Sequence, residues 1–259
     1  MDLSFIIPAH NESAMIARVV QSIHESARPL GQAYEIIVAD DGSTDGTGEI
    51  ARENGALVVR HERRQIAATR NLGYRSSTGD LLFFVDGDTQ VTPEAISQAV
   101  AAITDGAIGG GAAFQFDGPL PRYAQAVIPV AQGLFRLLRL TGGAFLFCTR
   151  KALDAADGWN ESLFAAEEID LAKRLKKHGP FVIIQATVIT SARKLRTYHG
   201  HEILSLFLRS ILRPGALRDR ETLGFFYGKR RVDPHAPAKQ QLPRPQFQNS
   251  LKHNSWNRS

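Results

Sequence analysis

Apolar runs and amphipathic segments alternate along the first 105 residues of the chain. The apolar runs predict buried strands at residues 3–8, 35–39, 56–60 and 80–86. Between the first two runs, one helix face is marked by Ile16, Val19, Val20 and Ile23. Further helices are expected at residues 44–54, at 65–77 and after Thr92, where Pro93 suits the first helical position. This order predicts an α/β fold with a mostly parallel sheet flanked by helices.

The pattern is less regular after residue 105. Strands are expected within residues 107–116 and 142–149, and a helix over residues 122–140. A last helix is expected from Glu167 to Gly179, because Ile169, Ala172 and Leu175 would share its buried face and a glycine favours a helix end. The segment 221–259 contains a stretch rich in Pro, Gln and Asn and is predicted to be a disordered tail.

Composition is ordinary, but charge is uneven. The chain has 259 residues, 43% of them hydrophobic, and a single cysteine, Cys148, so no intrachain disulfide can form. We expect no signal peptide and no membrane-spanning segment, because the N-terminus lacks a basic region and no window of 18 apolar residues occurs. Residues 191–259 carry 14 Lys and Arg but 4 Asp and Glu. This basic region predicts contact with membrane headgroups, a diphosphate or nucleic acid, or simply a solvated tail.

Two aspartates, Asp86 and Asp88, follow the strand expected at residues 80–86, and three interpretations compete. The pair could be the nucleophile motif of a haloacid-dehalogenase-type phosphatase. That motif has Thr or Val where this chain has Gln90, and it usually follows the first strand rather than the fourth. The pair could also cap a turn. In the third interpretation it binds a metal ion, since parallel sheets bind ligands at the carboxyl ends of their strands.

Four motifs in order favour the third interpretation. They are FIIPAHNE at the first strand, IIVADDGSTDGT at the second, ATRNLGYRSSTGDLLFFVDGDT at the fourth, and GWNESLFAAEEIDLAKRLKKHG further on. Together they resemble family 2 glycosyltransferases of the GT-A fold over about residues 3–200. The resemblance implies a nucleotide-diphosphate sugar donor, transfer of the sugar to an acceptor hydroxyl, and a bound Mg²⁺ or Mn²⁺.

The resemblance also implies roles for residues on the donor side. Asp88 would coordinate the metal, and Asp86 would face the ribose or the metal shell. Asp41 would bind the nucleotide base while Asp40 orients its loop, although both could instead cap the turn. Arg70 would pair with a phosphate or with Asp86. The pocket would be lined, mostly through backbone atoms, by Pro8, Ala9 and Glu12.

On the acceptor side, the family's catalytic base maps to Glu168. Ala166 stands where the family commonly has a glycine. We expect Glu168 at the interior edge of the helix's buried face, and Glu167 one step further round, where it would cap the helix or bind the acceptor. Trp159 would either stack on a sugar or pack in the core.

Two absences narrow the expected activity. The chain lacks the Q-x-x-R-W motif and the multiple membrane spans of the processive synthases in this family, which favours a single addition. We also expect the transfer to invert the configuration at the anomeric carbon. Basic residues between 193 and 201 would stabilise the departing diphosphate. His199, Gly200 and His201 would either supply a phosphate or metal contact or form a surface turn. We expect a glycan or lipid-linked acceptor in cell-envelope synthesis and a cytoplasmic protein in peripheral contact with an anionic membrane. No nucleic-acid partner is expected. A non-catalytic nucleotide-sugar-binding protein is the other hypothesis.

The expected domain spans residues 1–220, with a Rossmann-like nucleotide-binding half over about 1–105 and an acceptor half over about 106–220. The basic tail at 221–259 would lie outside it.

Overall fold

An eight-stranded mixed sheet forms the centre of the fold. The computed structural model describes residues 1–121, 123–125, 127–129, 133 and 143–197. The strands are β1 (Leu3–Ala9), β2 (Tyr34–Asp41), β3 (Leu57–His61), β4 (Leu81–Val85), β5 (Thr89–Gln90), β6 (Gly109–Phe116), β7 (Phe145–Thr149) and β8 (Phe181–Thr190). Their order across the sheet is β3-β2-β1-β4-β7-β6-β8-β5. The first four are mutually parallel, β7 runs antiparallel to both β4 and β6, and β8 is parallel to β6.

Residues 123–125, 127–129 and 133 are helical, and seven further α-helices have defined bounds. They are α1 (Ile16–Ala27), α2 (Thr47–Glu53), α3 (Ile66–Arg75), α4 (Pro93–Thr104), α5 (Arg150–Ala155), α6 (Glu167–Leu175) and α7 (Arg193–Thr197). α4 begins as its sequence predicts: Thr92 is the N-cap, its hydroxyl accepts a bond from the Ala95 amide, and Pro93 is the first helical residue. Within the described residues, no helix is long and apolar enough to cross a membrane.

The core lies on both faces of β1 and β4. Phe5 and Phe83 stack at 4.7 Å on the face covered by α1 and α4. Ile6 and Phe84 point to the other face, against residues from α3, α5 and α6. Burial on both faces explains why these strands are continuous apolar runs rather than alternating ones.

A bulge in β8 interrupts the pairing of this strand with β6. Ala112 pairs with Ile184, but Ala113 pairs with Thr187, so two residues of β8 have no partner on β6. These are Gln185 and Ala186, and both of their amides donate to Oε1 of Gln98 in α4, at 3.1 and 2.9 Å. The side-chain oxygen of Gln98 therefore accepts the two backbone amides that have no partner on β6.

The predicted strands and helices of the first half are confirmed, with ends within about three residues. Four elements were not predicted: β5, α5, β8 and α7. Most of the helix predicted at residues 122–140 lies outside the described residues, as do His199, Gly200, His201 and the predicted tail at 221–259.

Candidate active site

The carboxyl ends of β1, β2 and β4 bring the predicted acidic residues to one edge of the sheet. Ala9, at the end of β1, is in register with Asp40 at the end of β2. Gly87 lies against the same end of β1: a Cβ there would meet the Pro8 carbonyl at 3.2 Å and Glu12 Cγ at 3.1 Å. A glycine between the two aspartates therefore lets their loop pack closely against β1.

The carboxylate of Asp41 is surrounded by hydrogen-bond donors of the chain itself. Its Oδ1 accepts the amides of Arg63 and Arg64 at 2.8 and 2.7 Å, and its Oδ2 accepts the Gln65 amide at 2.8 Å and the Thr69 hydroxyl at 3.0 Å. Four bonds fill the acceptor positions of a carboxylate. In this structure Asp41 thus fixes the conformation of residues 63–65, and its direct contact with a nucleotide base stays a prediction.

Asp40 holds the loop that follows β2. Its Oδ1 accepts the Ser43 amide at 2.8 Å, as expected of a residue that orients the turn.

A contact that the sequence did not suggest links residues 63–65 to the segment before α6. Glu161 accepts bonds from Arg63 at 2.9 Å and from the Asn71 side chain at 2.9 Å, while its carbonyl accepts the Gln65 side-chain amide. The Asn71 side chain also donates to the Trp159 carbonyl. These bonds therefore hold residues 63–65 and the segment before α6 together.

Arg70 is a buried cation at the centre of the site. It is 2% exposed, and its guanidinium donates to Glu167 at 2.8 Å, to Asp86 at 3.0 Å and to the Gly143 carbonyl at 3.3 Å. The guanidinium also lies 4.4 Å from the centroid of the Trp159 ring. Burial would lower the pKa of Arg70, but the Asp86 and Glu167 carboxylates outweigh that effect and raise it. Of its two predicted partners, the structure shows Asp86.

Trp159 belongs to the core. It is 2% exposed and packs edge-on against Phe84 at 5.0 Å, which favours the packing alternative over stacking on a sugar.

The expected orientation of the two glutamates is wrong. Glu167 is the buried one, at 4% exposed and paired to Arg70, whereas Glu168 is partly exposed. Ile169 is also partly exposed, so it does not mark the buried face. That face consists of Glu167, Leu171, Ala172 and Leu175. The physical reason is the ion pair with Arg70, which turns Glu167 inward.

The helix that carries these glutamates starts from a left-handed residue. Ala166 is its N-cap with φ 60° and ψ 21°, a conformation that glycine adopts without a steric penalty. A glycine at this position would therefore fit the backbone, which explains why the family that the sequence resembles commonly has a glycine here; the alanine of this chain adopts the same conformation at a steric cost.

Glu168 faces the space beside Asp86. A Cβ on Gly143 would lie 3.5 Å from Arg70 Nη2, 3.7 Å from Glu168 Cδ and 3.8 Å from Asp86 Oδ2, so the three groups surround this glycine. Desolvation, followed by the charge of Glu167, raises the pKa of Glu168 to about 8. A carboxylate with that pKa suits proton transfer near neutral pH.

Asp88 meets a cation that comes from far along the chain. Arg193 at the start of α7 donates to Asp88 Oδ2 at 3.3 Å and to both carboxylate oxygens of Glu12 at 3.2 to 3.3 Å. Desolvation and the charge of Glu12 raise the pKa of Asp88 to about 7, although Lys194 and Arg193 lower it. Glu12 thus meets Arg193 through its side chain, a contact that the sequence did not predict.

The carboxylates at Asp88 suit a divalent cation whose remaining ligands come from the substrate. No cluster of three or more His, Cys, Asp or Glu side chains suited to a metal ion occurs among the described residues. Mg²⁺ is commonly held by one or two carboxylates together with substrate phosphates rather than by a complete protein cage. Asp88, with Asp86 beside it on the same loop, can supply such carboxylates, and oxygen ligands also suit Mn²⁺.

Comparison with known sequences finds relatives over the first part of the chain. The family model described as glycosyl transferase family 2 matches residues 4–152. "Glycosyltransferase AglE" of Haloferax volcanii is 33% identical over 108 residues, which are 39% of this chain and 35% of that protein. An undecaprenyl-phosphate 4-deoxy-4-formamido-L-arabinose transferase of Pseudomonas paraeruginosa is 33% identical over 112 residues, 40% of this chain and 33% of that protein. The matches thus span about a third of the length of these relatives.

Solved structures share the fold. A mannosyltransferase from Pyrobaculum calidifontis, in complex with GDP-Man and Mn²⁺, has a TM-score of 0.61 at 21% identity and covers 87% of this chain and 66% of that one. The S. aureus TarS fragment 1–349 in complex with UDP-GlcNAc has a TM-score of 0.60 at 18% identity and covers 74% and 58%. These likenesses confirm the predicted GT-A-type fold. Because the family model covers more than half of the chain, the chain belongs to glycosyl transferase family 2, the enzyme class that its four motifs predicted.

Proposed function

We propose that this chain transfers one sugar from a nucleotide-diphosphate sugar to an acceptor hydroxyl, with inversion at the anomeric carbon and with a divalent metal ion. The main support is the meeting of two kinds of carboxylate at one sheet edge. Asp88 is paired with Arg193, whereas Glu168, next to Asp86 and Gly143, lies beside the Glu167 carboxylate. Burial raises the pKa of both, to about 7 for Asp88 and about 8 for Glu168. A donor diphosphate and an acceptor hydroxyl need such different environments.

On the donor side, Asp88 and Asp86 would hold the metal ion. Mg²⁺ or Mn²⁺ bound there would offset the negative charge that develops on the departing diphosphate. Arg193 and Lys194 add positive charge next to Asp88. Residues 63–65, held by Asp41, would line the side of the base, with Pro8, Ala9 and Asp40 close by.

On the acceptor side, Glu168 would act as the base. Its carboxylate would take the proton of the acceptor hydroxyl as that oxygen attacks the anomeric carbon, and the bond from this carbon to the diphosphate oxygen breaks. Glu167 is committed to Arg70, and its negative charge makes Glu168 more basic. Arg70 would hold both sides together, since it binds Asp86 and Glu167 at once.

The acceptor is proposed to be lipid-linked or a glycan, reached from an anionic membrane surface. One relative is named as an undecaprenyl-phosphate transferase. The excess of Lys and Arg in residues 191–259 would favour anionic headgroups, which contribute about 1 kcal/mol for each basic residue at the surface.

A transfer assay tests the proposal. Nucleotide sugars built on UDP, GDP and dTDP are incubated with Mn²⁺ and polyprenyl phosphate or soluble glycan acceptors. Nucleoside diphosphate release and product mass are then measured, and the anomeric configuration is read by NMR. We expect one donor to yield a product one sugar heavier, with inverted configuration. Tight donor binding without turnover across the acceptors would support the non-catalytic alternative. The phosphatase interpretation has lost its support, because the chain belongs to a glycosyltransferase family.

A further inference from the structure

A guanidinium lies where the proposed function places a metal ion. The Nη2 of Arg193 is 3.3 Å from Asp88 Oδ2 and also 3.3 Å from both carboxylate oxygens of Glu12. Nη1 adds a contact to Glu12 at 3.2 Å. The three side chains are 8 to 19% exposed, so this is a largely buried group of two carboxylates and one guanidinium, and Lys194 adds positive charge near Asp88.

The backbone around Arg193 is attached to the loop of Asp88. The Ser191 amide donates to the Asp88 carbonyl at 3.2 Å, and the hydroxyls of Thr89 and Thr190 are 2.9 Å apart across the β5–β8 pairing. The Ser191 hydroxyl in turn accepts the Arg193 amide at 3.2 Å. These bonds fix where the side chain of Arg193 starts, so its position between the two carboxylates follows from the fold.

Two partly buried carboxylates that share one volume need a counter-cation, because desolvation makes an unpaired charge costly. Arg193 supplies it in this structure. Mg²⁺ binds carboxylate oxygens at about 2.0–2.1 Å, so a divalent cation on Asp88 would lie close to the guanidinium of Arg193. Charge repulsion therefore disfavours the metal ion at Asp88 while Arg193 keeps its present position.

We propose that Arg193 is a resident counter-cation that competes with a free divalent cation for Asp88 and Glu12. The metal binds together with the nucleotide diphosphate, whose phosphates give Arg193 a new partner when it leaves the carboxylates. Free metal alone binds weakly, because it would leave the guanidinium without its anions. This inference rests on the metal site of the proposed function. It adds that the metal ion replaces Arg193 at the carboxylates only when the nucleotide diphosphate binds.

Titration of the full chain with Mn²⁺ in the absence of nucleotide tests the competition, with free Mn²⁺ measured by electron paramagnetic resonance. We expect Arg193→Gln to bind Mn²⁺ at least about tenfold more tightly than wild type, on the scale of one charged hydrogen bond. Arg193→Lys keeps the positive charge and should stay near wild type. Arg196→Gln is the matched control, because Arg196 lies on the same helix and pairs with Asp117 at 3.2 Å.

The same titration with UDP or GDP present tests the metal site and the counter-cation role of Arg193 separately. Wild type should bind Mn²⁺ at least about tenfold more tightly with the nucleotide that fits, whereas Arg193→Gln should gain less from it. If wild type binds no Mn²⁺ with any nucleoside diphosphate, the proposed metal site fails, and this inference with it. If it does bind, but Arg193→Gln without nucleotide binds no more tightly than wild type, only the counter-cation role is overturned.

Circular dichroism checks the fold of each variant. Arg193→Met keeps an unbranched, uncharged side chain that can pack like the arginine stem, and it replaces Arg193→Gln in the titration if the glutamine variant does not fold. Equal loss of Mn²⁺ affinity in Arg193→Gln and Arg193→Met would contradict the proposal, since it would show that the arginine supports the metal site instead of competing for it.

Discussion

The two acidic pairs at the edge of the sheet are alike in sequence, but the chain surrounds them differently. Asp40 and Asp41, at the end of β2, accept bonds mainly from neutral donors, the backbone amides of the loops after β2 and β3. Asp86 and Asp88, on the loop after β4, face guanidinium groups of two helices, Arg70 on α3 and Arg193 on α7.

The difference separates a structural role from a chemical one. If Asp41 gave up a bond to bind a ligand, a buried amide would lose its partner at a cost of about 1–3 kcal/mol. Asp88 can exchange one cation for another without freeing a backbone donor, and burial already disfavours its charge. We therefore propose that the pair at the end of β2 builds the pocket, and that the pair after β4 takes part in catalysis together with Glu168.

The strongest test of this division is Glu168→Gln. We expect turnover to fall by about 10²–10⁴-fold, the usual contribution of a general base, while donor binding persists. Glu167→Gln should instead weaken the fold around Arg70, so its effect should include a lower unfolding temperature. Single-turnover rates, with donor affinity and thermal unfolding measured separately, distinguish the two. A slower Glu167→Gln enzyme with unchanged stability would reverse the assignment.

Asp41→Asn should cost about 2–4 kcal/mol of unfolding free energy. The amide keeps one acceptor oxygen but places an NH₂ group against two of the four donors that Asp41 now satisfies. Urea unfolding checks it. An unchanged midpoint, together with an altered preference among UDP, GDP and dTDP, would show that Asp41 contacts the base directly and does not build the pocket.

The pH dependence of transfer should follow Glu168. A base is active when it has lost its proton, and the pKa of Glu168 is raised to about 8. kcat/KM should therefore rise about tenfold per pH unit well below pH 8, roughly 50-fold between pH 6 and pH 8, and level off above about pH 9. Glu168→Gln should lack this rise. A flat wild-type profile over that range would argue against a carboxylate base of raised pKa.

Asp88→Asn should separate binding from stability. We expect Mn²⁺-dependent nucleotide affinity to fall more than about tenfold, because the metal loses a charged ligand. Unfolding free energy should stay within about 0.5 kcal/mol of wild type or increase, since the change removes a carboxylate whose charge burial disfavours. Measured beside Asp41→Asn, a large loss of stability here would erase the contrast between the two pairs.

The smallest effect is expected at the start of α6. Ala166→Gly should raise unfolding free energy by up to about 1 kcal/mol, because it relieves a left-handed alanine. Ala156→Gly is the control: Ala156 has φ −88°, so glycine there should lower stability. Equal shifts in both variants would show that the backbone of Ala166 carries no strain.

The sequence predicted what depends on local pattern. Continuous apolar runs identified β1 to β4, and Thr92 with Pro93 identified the start of α4. β8 was missed because its burial is irregular and a bulge interrupts its pairing.

The pairings within the site could not be predicted. Glu167 was placed wrongly because its orientation is decided by Arg70, 97 residues away. Arg193 meets Glu12 across 181 residues. Charge alone indicated that basic residues after 190 would contact an anion, but it could not show that the first anions they meet belong to the protein.

The bulge in β8 lets the strand carry two extra residues while its pairing with β6 stays in register on both sides. Deleting both Gln185 and Ala186 would join Ile184 to Thr187, and each would keep its present partner on β6, Ala112 and Ala113. The position of Arg193 is therefore fixed by the pairings after the bulge, up to that of Thr190 with Thr89. We expect changes in the length of the bulge to alter its packing on Gln98 and to leave the distance from Arg193 to Asp88 unchanged.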